Sequence, residues 1–145
     1  MIDVTVSTRI NRPPAVIFDY MSDATNAPAW NPIVLESTKT SDGAIAAGTI
    51  FHLKMKPTMG ASEAELKLVE YEPNTKLVIA IEFGRMSSVH SGKFEPDGEA
   101  TIYTEHIQVS MGGGLMGLLE PLFKGMVRKR NTGVLENLKR NLELG

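Results

Sequence analysis

The sequence carries one charged side chain in an unexpectedly apolar setting, Arg130, which a helical projection at about 100° per residue places on one face with Leu122, Met126 and Val134. A guanidinium among apolar side chains must be paired or reach water, because an unpaired buried charge is very costly. It can hold a carboxylate or an enolate through two parallel hydrogen bonds. Arg130 is therefore a candidate catalytic residue that stabilises developing negative charge. The alternative is that it pairs with a carboxylate such as Glu82 or Glu105, or extends to solvent.

Three histidines, His52, His90 and His106, fall in three different predicted strands. Apolar residues alternate with His52, which predicts that His52 faces solvent. The strands that hold His90 and His106 carry mixed residues on both faces, so their orientation stays open. If the face that holds His106 points inward, this imidazole can move protons near neutral pH. His106 is therefore the second candidate catalytic residue.

Other chemistry is excluded by what the sequence lacks. The chain has no cysteine, which rules out disulfides, thiolate metal sites and a cysteine nucleophile. A zinc site needs at least three converging ligands, and no His-x-Glu or His-x-x-x-His spacing occurs. Phosphate-binding glycine loops and the G-x-S-x-G nucleophile motif are also missing. We expect no metal and no cofactor.

Charge and composition narrow the range of partners. With 15 Lys and Arg against 17 Asp and Glu, the formal net charge is −2, and we expect no nucleic-acid partner. Residues 115–145 carry six basic and three acidic side chains, whereas the remaining residues are net acidic. This asymmetry favours docking of a basic C-terminal helix onto the rest of the molecule, or contact of that helix with an anionic surface.

The length of 145 residues predicts one domain over 1–145. Neither a signal peptide nor a stretch of about 18 apolar residues is visible, so we expect a cytoplasmic protein without an integral membrane segment, as a monomer or homodimer. Eight Met and 13 Gly accompany only nine aromatic residues, which indicates a soft, adaptable apolar interior.

The pattern of elements predicts an α+β chain. Alternation over Val4–Ile10 indicates a strand, and two short helices are predicted over Pro14–Met21 and Ala24–Trp30. Six further strands are predicted, separated by turn residues, over Ile33–Thr38, Thr49–Lys56, Ala61–Tyr71, Leu77–Phe83, Ser87–Glu95 and Ala100–Ser110. Close spacing and Asp-Gly turns imply antiparallel hairpins. One long helix, bent near Pro121, is predicted over Leu115–Leu144.

The segments Arg12–Tyr20, Trp30-Asn31-Pro32 and Val69–Pro73, set in this order of elements, resemble the START-like (SRPBCC) superfamily. That superfamily includes the polyketide cyclase/dehydrase and lipid-transport proteins and the plant pollen-allergen fold. The resemblance implies a helix-grip fold. In it, a curved antiparallel sheet of about seven strands wraps around a long C-terminal helix, with two short helices between strands 1 and 2. An apolar cavity is implied between sheet and helix.

The resemblance and the helical projection together predict the lining of this cavity. At about 100° per residue, most apolar residues between Leu115 and Val134, Met116 among them, share a broad face that also holds Arg130, Gly133 and Asn137, whereas Leu135 is predicted to point away. Glycine at 133 would leave space for a ligand or for close packing of a strand. The predicted ligand-binding residues are Trp30, Met55, Leu66, Leu68, Ile79, Ile81, Tyr103, Leu119, Phe123, Met126, Gly133 and Asn137.

Three functions are compatible with these features. The first is binding of a small hydrophobic ligand, such as a lipid or polyketide, in the cavity. The second is a polyketide cyclase or dehydratase, in which Arg130 stabilises an enolate and His106 or a tyrosine moves protons. The third is a protein-interaction module, similar to the co-chaperone members of the superfamily, that uses the basic helix. The fold does not choose among them.

Overall fold

A seven-stranded antiparallel sheet forms the frame of the molecule, seen in a computed structural model that describes residues 1–58 and 60–145, the side chains of 115 and 116 excepted. The strands are β1 (Ile2–Ile10), β2 (Val34–Lys39), β3 (Ile50–Thr58), β4 (Ala61–Glu72), β5 (Lys76–Phe83), β6 (Met86–Asp97) and β7 (Ala100–Ser110). Their order is β1-β7-β6-β5-β4-β3-β2. Each predicted strand is present within two residues of its expected bounds.

Two short helices connect β1 at one edge of the sheet to β2 at the other. Helix α1 spans Pro14–Ser22, and a 3-10 helix follows over Ala24–Ala29. Proline occupies the first turn of α1, where its missing N–H has no intrahelical partner to lose. The Asn31 side chain accepts a hydrogen bond from the Ile33 N–H at 3.1 Å and turns the chain into β2.

The C-terminal helix is divided into two parts, where the sequence predicts one bent helix. Helix α2 spans Leu115–Leu118 and α3 spans Glu120–Leu144. Pro121 lies in the first turn of α3. A proline inside a helix removes a backbone hydrogen bond and clashes with the preceding turn, so the helix ends and begins again instead of bending. The sequence predicts that Met116 points inward, but its side chain is not among those that the structure describes.

Helix α3 packs against the sheet mainly through its C-terminal half. Its buried residues are Val134, Leu135, Leu138 and Leu142. In its N-terminal half, by contrast, the Leu122 side chain is 75% exposed. The helix is therefore buried against the sheet mainly along its C-terminal half, and its N-terminal half is more exposed.

Polar contacts hold this C-terminal half in place. The Asn11 N–H donates to Glu143 Oε2 at 2.7 Å, and Arg12 Nη2 donates to the Glu143 carbonyl at 3.2 Å. Asn141 Nδ2 donates to the Ala29 carbonyl at 2.7 Å, and Lys139 donates to the Arg9 carbonyl. These bonds connect α3 to the end of β1 and to the 3-10 helix.

The architecture is the predicted α+β helix-grip fold: a curved seven-stranded sheet, a long C-terminal helix and short helices between strands 1 and 2. Within the described ranges, no helix is both long enough and apolar enough to cross a membrane.

Candidate functional site

An apolar cavity of about 190 Å³ lies between the sheet and the N-terminal half of α3. Six predicted residues line it from the strands: Met55, Leu66, Leu68, Ile79, Ile81 and Tyr103. Four more close it from the helical side: Trp30, Phe123, Met126 and Arg130. Met126 and Arg130 line the cavity and are also exposed, so they mark its mouth.

Three predicted residues do not line the cavity. Gly133 is exposed, and a Cβ built on it would meet nothing within 4 Å. Leu119 and Asn137 are half-buried and lie outside the lining. The projection gave α3 too broad an inward face. Val134, next to Gly133, is buried, so the face against the sheet is centred about 100° further round the helix.

His106 faces outward, so the condition on which its catalytic role depends is not met. His106 Nε2 lies 2.6 Å from Asp3 Oδ1, and the two side chains are 41% and 55% exposed. On β7 the buried face is the alternate one, which holds Tyr103, Glu105 and Ile107. His52 faces solvent as predicted, 3.4 Å from Glu63.

The face of the sheet toward the cavity holds a group of polar side chains, here called the inner polar cluster: Ser88, His90, Tyr103 and Glu105. All four line the cavity. Ser88 Oγ lies 3.1 Å from His90 Nε2, and His90 Nδ1 lies 3.8 Å from Glu105 Oε2. The Tyr103 hydroxyl donates to Glu105 Oε1 at 2.9 Å. Sequence reasoning left His90 unoriented and considered Glu105 only as a partner of Arg130.

Strand register brings the inner polar cluster together. Ser88 and His90 share one face of β6, because residues two apart on a strand point the same way. Gly92 pairs with Glu105 across β6 and β7, and a Cβ on Gly92 would lie 2.5 Å from the Tyr103 hydroxyl. Because glycine has no side chain, position 92 leaves room for the side chain of Tyr103. The signal in the sequence was the regular alternation of Tyr103, Glu105 and Ile107, which marks one continuous face.

Burial changes the pKa of two groups that line the cavity, Tyr103 and Arg130. Desolvation raises the pKa of the Tyr103 phenol well above its usual value, and the Glu105 carboxylate beside it adds to the shift. The phenol therefore keeps its proton and donates a hydrogen bond to Glu105. Desolvation also lowers the pKa of Arg130, which nevertheless stays charged at neutral pH.

Arg130 and Trp30, which line the cavity, have hydrogen-bond donors without a carboxylate or other acceptor as partner among the described residues. No carboxylate there lies within 4 Å of the Arg130 guanidinium. The pairing of Arg130 with Glu82 or Glu105 considered from the sequence does not occur. The Trp30 indole N–H is buried and has no acceptor in the described part of the chain. Buried donors in proteins nearly always have an acceptor, so a bound molecule is a natural partner for this one.

The side chains of the described ranges do not assemble a metal site. No three or more His, Asp or Glu residues there converge as metal coordination would require.

An antiparallel sheet wrapped around a C-terminal helix, with an apolar cavity between them, defines a helix-grip protein. A family model described as polyketide cyclase/dehydrase and lipid transport matches residues 1–143, and the chain belongs to this family. The resemblance to the START-like superfamily is thereby confirmed.

Solved structures show the same fold at low sequence identity. TTHA0849 from Thermus thermophilus superimposes with a TM-score of 0.76 at 16% identity, over 97% of this chain and 96% of its own. Ara h 8.0201 gives 0.72 at 14% identity, over 99% and 98%. KanY (ms6282) gives 0.71 at 21% identity, over 97% of each chain. None of the curated proteins compared with the chain matches it.

Proposed function

We propose that the protein binds a small hydrophobic ligand in the cavity between the sheet and α3. The observation that carries this proposal is the cavity itself: an apolar interior that opens to the surface beside Met126 and Arg130. Removing an apolar molecule from water is favourable in proportion to the area buried, which gives such a cavity affinity without specific contacts. Membership of a family that includes lipid-transport proteins supports the same function.

The size of the cavity limits the ligand. Its volume of about 190 Å³ is below the roughly 300–1,000 Å³ of sites that enclose drug-sized molecules. The ligand is therefore a molecule of one or two rings or a short chain, or a longer one that projects through the mouth. Met21, Met55 and Met126, which line the cavity, let its shape adapt to different ligands.

The binding function is tested with delipidated protein. Trp30 is the only tryptophan and lines the cavity, so its fluorescence reports occupancy. Titration with decanoate and with 2-naphthol should change the emission of Trp30 in a saturable way, whereas free N-acetyltryptophanamide should not show saturation. Solvent extraction of protein purified from cells should release an apolar compound. No saturable change together with an empty extract would reject the proposal.

A cyclase or dehydratase activity is the second candidate, and the inner polar cluster favours it. An imidazole that is hydrogen-bonded to a hydroxyl and lies near a carboxylate can take up and return a proton. His90 thus takes the role predicted for His106, while Arg130 keeps the role of stabilising an enolate. The steps would be removal of a proton from a carbon next to a carbonyl, ring closure and loss of water.

The enzymatic candidate is tested by turnover of a triketide mimic. His90→Gln and Arg130→Ala should each lower kcat by about 100-fold or more, the usual range for an acid–base or charge-stabilising group. His106→Gln is the matched control, because it changes a histidine outside the cavity, and should keep full activity. Equal turnover by His90→Gln and the wild type would reject the assignment.

The remaining predictions concern the cellular location, the oligomeric state and the binding of nucleic acid or other proteins. We keep a cytoplasmic location and a monomer or homodimer as predictions, and the balance of charge keeps the absence of a nucleic-acid partner as a prediction too. The interaction module on the basic helix has less support. Arg128 Nη1 donates to the Thr5 carbonyl at 3.3 Å, and Lys139 Nζ donates to the Arg9 carbonyl. These contacts favour docking of the helix onto its own sheet.

A further inference from the structure

We propose that the cavity recognises ligands with two polar ends, a hydroxyl held by the inner polar cluster and a carboxylate held by Arg130. The ligand class is therefore a small hydroxylated carboxylic acid with an apolar ring system between the two groups. This inference rests on the proposed binding function. It adds chemical specificity to the affinity that the apolar walls alone would provide.

The inner end follows from the unused capacity of Glu105. Its Oε1 accepts the hydrogen bond of Tyr103, but among the described residues Oε2 has no hydrogen bond, since His90 Nδ1 is 3.8 Å away. The Glu105 side chain is only 10% exposed and lines the cavity, so a molecule in the cavity can reach it. A carboxylate can accept about four hydrogen bonds, and a buried one with a single donor is poorly satisfied. A ligand hydroxyl in the cavity supplies the missing donor.

The charge of the inner polar cluster also decides what it rejects. A ligand carboxylate placed beside Glu105 would set two negative charges together at a buried position, which disfavours binding. A hydroxyl carries a donor without charge and suits the site. Ser88 Oγ next to His90 can exchange hydrogen bonds with the same group.

The arrangement of Ser88, His90 and Glu105 does not point to ester hydrolysis. A serine nucleophile needs unpaired N–H donors nearby to hold the oxyanion. Ser88 lies in the interior of β6, which pairs without register shifts to β5 on one side and β7 on the other. Its backbone donors are used in the sheet, so the inner polar cluster recognises a polar group better than it could support acyl transfer.

The outer end follows from the position of Arg130. This residue lines the mouth and has no carboxylate within 4 Å in the described part of the chain. The planar guanidinium binds a carboxylate through two parallel hydrogen bonds, and partial removal from water strengthens that pair. Arg130 comes from α3 and Glu105 from the sheet, so the two charges lie on opposite walls. A ligand that reaches from one wall to the other satisfies both.

The experiment compares four probes with one ring skeleton: naphthalene, 2-naphthol, 2-naphthoate and 6-hydroxy-2-naphthoate. Binding to the delipidated full chain is measured by calorimetry, with NMR titration for the weakest probe. Each polar group should tighten binding about tenfold, as expected for a hydrogen bond to a charged partner, and 6-hydroxy-2-naphthoate should bind tightest. This comparison uses the wild type alone and does not depend on any variant.

Two substitutions then separate the ends. Arg130→Gln should lose the gain from the carboxylate and leave the affinity for naphthalene and 2-naphthol unchanged. Glu105→Gln should reduce the gain from the hydroxyl roughly three- to tenfold and leave 2-naphthoate no weaker. Lys129→Gln, which removes a neighbouring charge outside the cavity lining, is the matched control and should bind all four probes like the wild type.

The outcomes distinguish this inference from the function on which it rests. If naphthalene binds but neither polar group tightens binding, the inference is overturned and hydrophobic binding stands. If Arg130→Gln weakens all four probes equally, the assignment of the carboxylate to Arg130 is overturned. If none of the four probes binds, the proposed function itself fails.

Discussion

The Tyr103–Glu105 pair is the most deeply buried polar contact of the cavity wall. Tyr103 is 2% exposed, and its ring lies 4.9 Å from the ring of Phe94, so its hydroxyl has a fixed position. The hydrogen bond of 2.9 Å provides a partner for the Tyr103 hydroxyl and for Glu105 Oε1 in apolar surroundings. Loss of one partner leaves the other unsatisfied, which costs more than the bond itself contributes.

Tyr103→Phe should lower the free energy of unfolding by about 1–2 kcal/mol at pH 7. The raised pKa of Tyr103 adds a dependence on pH. Above about pH 10, an unfolded tyrosine loses its proton while the folded one keeps it, so the unfolded state binds fewer protons. Stability then falls as pH rises. Urea unfolding between pH 8 and 11 should show a shrinking advantage of the wild type over the variant, and parallel curves would contradict this.

Two glycines should respond to alanine in opposite ways. Gly92→Ala places a Cβ 2.5 Å from the Tyr103 hydroxyl and should destabilise the protein by about 1–3 kcal/mol through overpacking. Gly133→Ala meets open space inside α3 and should stabilise it by about 0.5–1 kcal/mol through helix propensity. Thermal unfolding measures both. A destabilising Gly133→Ala would mean that position 133 faces the cavity after all.

Residue types alone led to part of this site. Arg130, Tyr103 and the apolar lining could be predicted, because each stands out by type or by alternation. The orientation of His90 and His106 could not, because both strands carry mixed residues on each face. Only the position of α3 over one face of the sheet decides which histidine lines the cavity.

At the scale of elements, α3 combines two tasks. Its C-terminal half is fixed by buried leucines and by polar contacts to β1, while its N-terminal half covers the cavity with exposed Leu122 and Met126 beside the mouth. Glu143 joins the two elements: the Asn11 N–H, together with Lys139 and Arg12, lowers the pKa of its carboxyl. The stability of the joint therefore depends on that negative charge.

Glu143→Gln should reduce the free energy of unfolding at pH 7, by less than about 1 kcal/mol because the side chain is partly exposed. The folded pKa lies below the unfolded one, so the contribution is present above the ordinary Glu value of about 4.3 and is lost as pH falls through the folded pKa. Urea unfolding from pH 7 to pH 3 should show the difference disappear. Glu136→Gln, at an exposed position of the same helix, is the control and should show a smaller difference.

The elements themselves were largely predictable. Apolar patterns and turn residues located all seven strands, since most of them bury alternate residues. The division of the C-terminal helix at Leu119 could not be predicted, because Pro121 is compatible with both a bend and the start of a new helix. Within α3, the predicted inward face was too broad, which placed Gly133 and Asn137 too far inward.

At the scale of the molecule, the cavity follows from the topology of the fold. The chain passes from β1 at one edge to β2 at the other, and antiparallel pairing then returns β7 beside β1. The C-terminal helix lies on the sheet but is anchored mainly at one end, which leaves room under the other. Pattern and family resemblance predicted this architecture. The size and polarity of the cavity depend on side-chain packing that no local pattern encodes.

The central claim is that the cavity holds an apolar molecule, and filling the cavity tests it most directly. Ile79→Trp adds bulk inside the lining, and Val69→Trp, at a position 47% exposed on β4, is the matched control. Calorimetric titration with naphthalene should show binding to the wild type and to Val69→Trp, and at least about tenfold weaker binding to a folded Ile79→Trp. Equal affinity in all three proteins, or no binding to the wild type, would contradict the account.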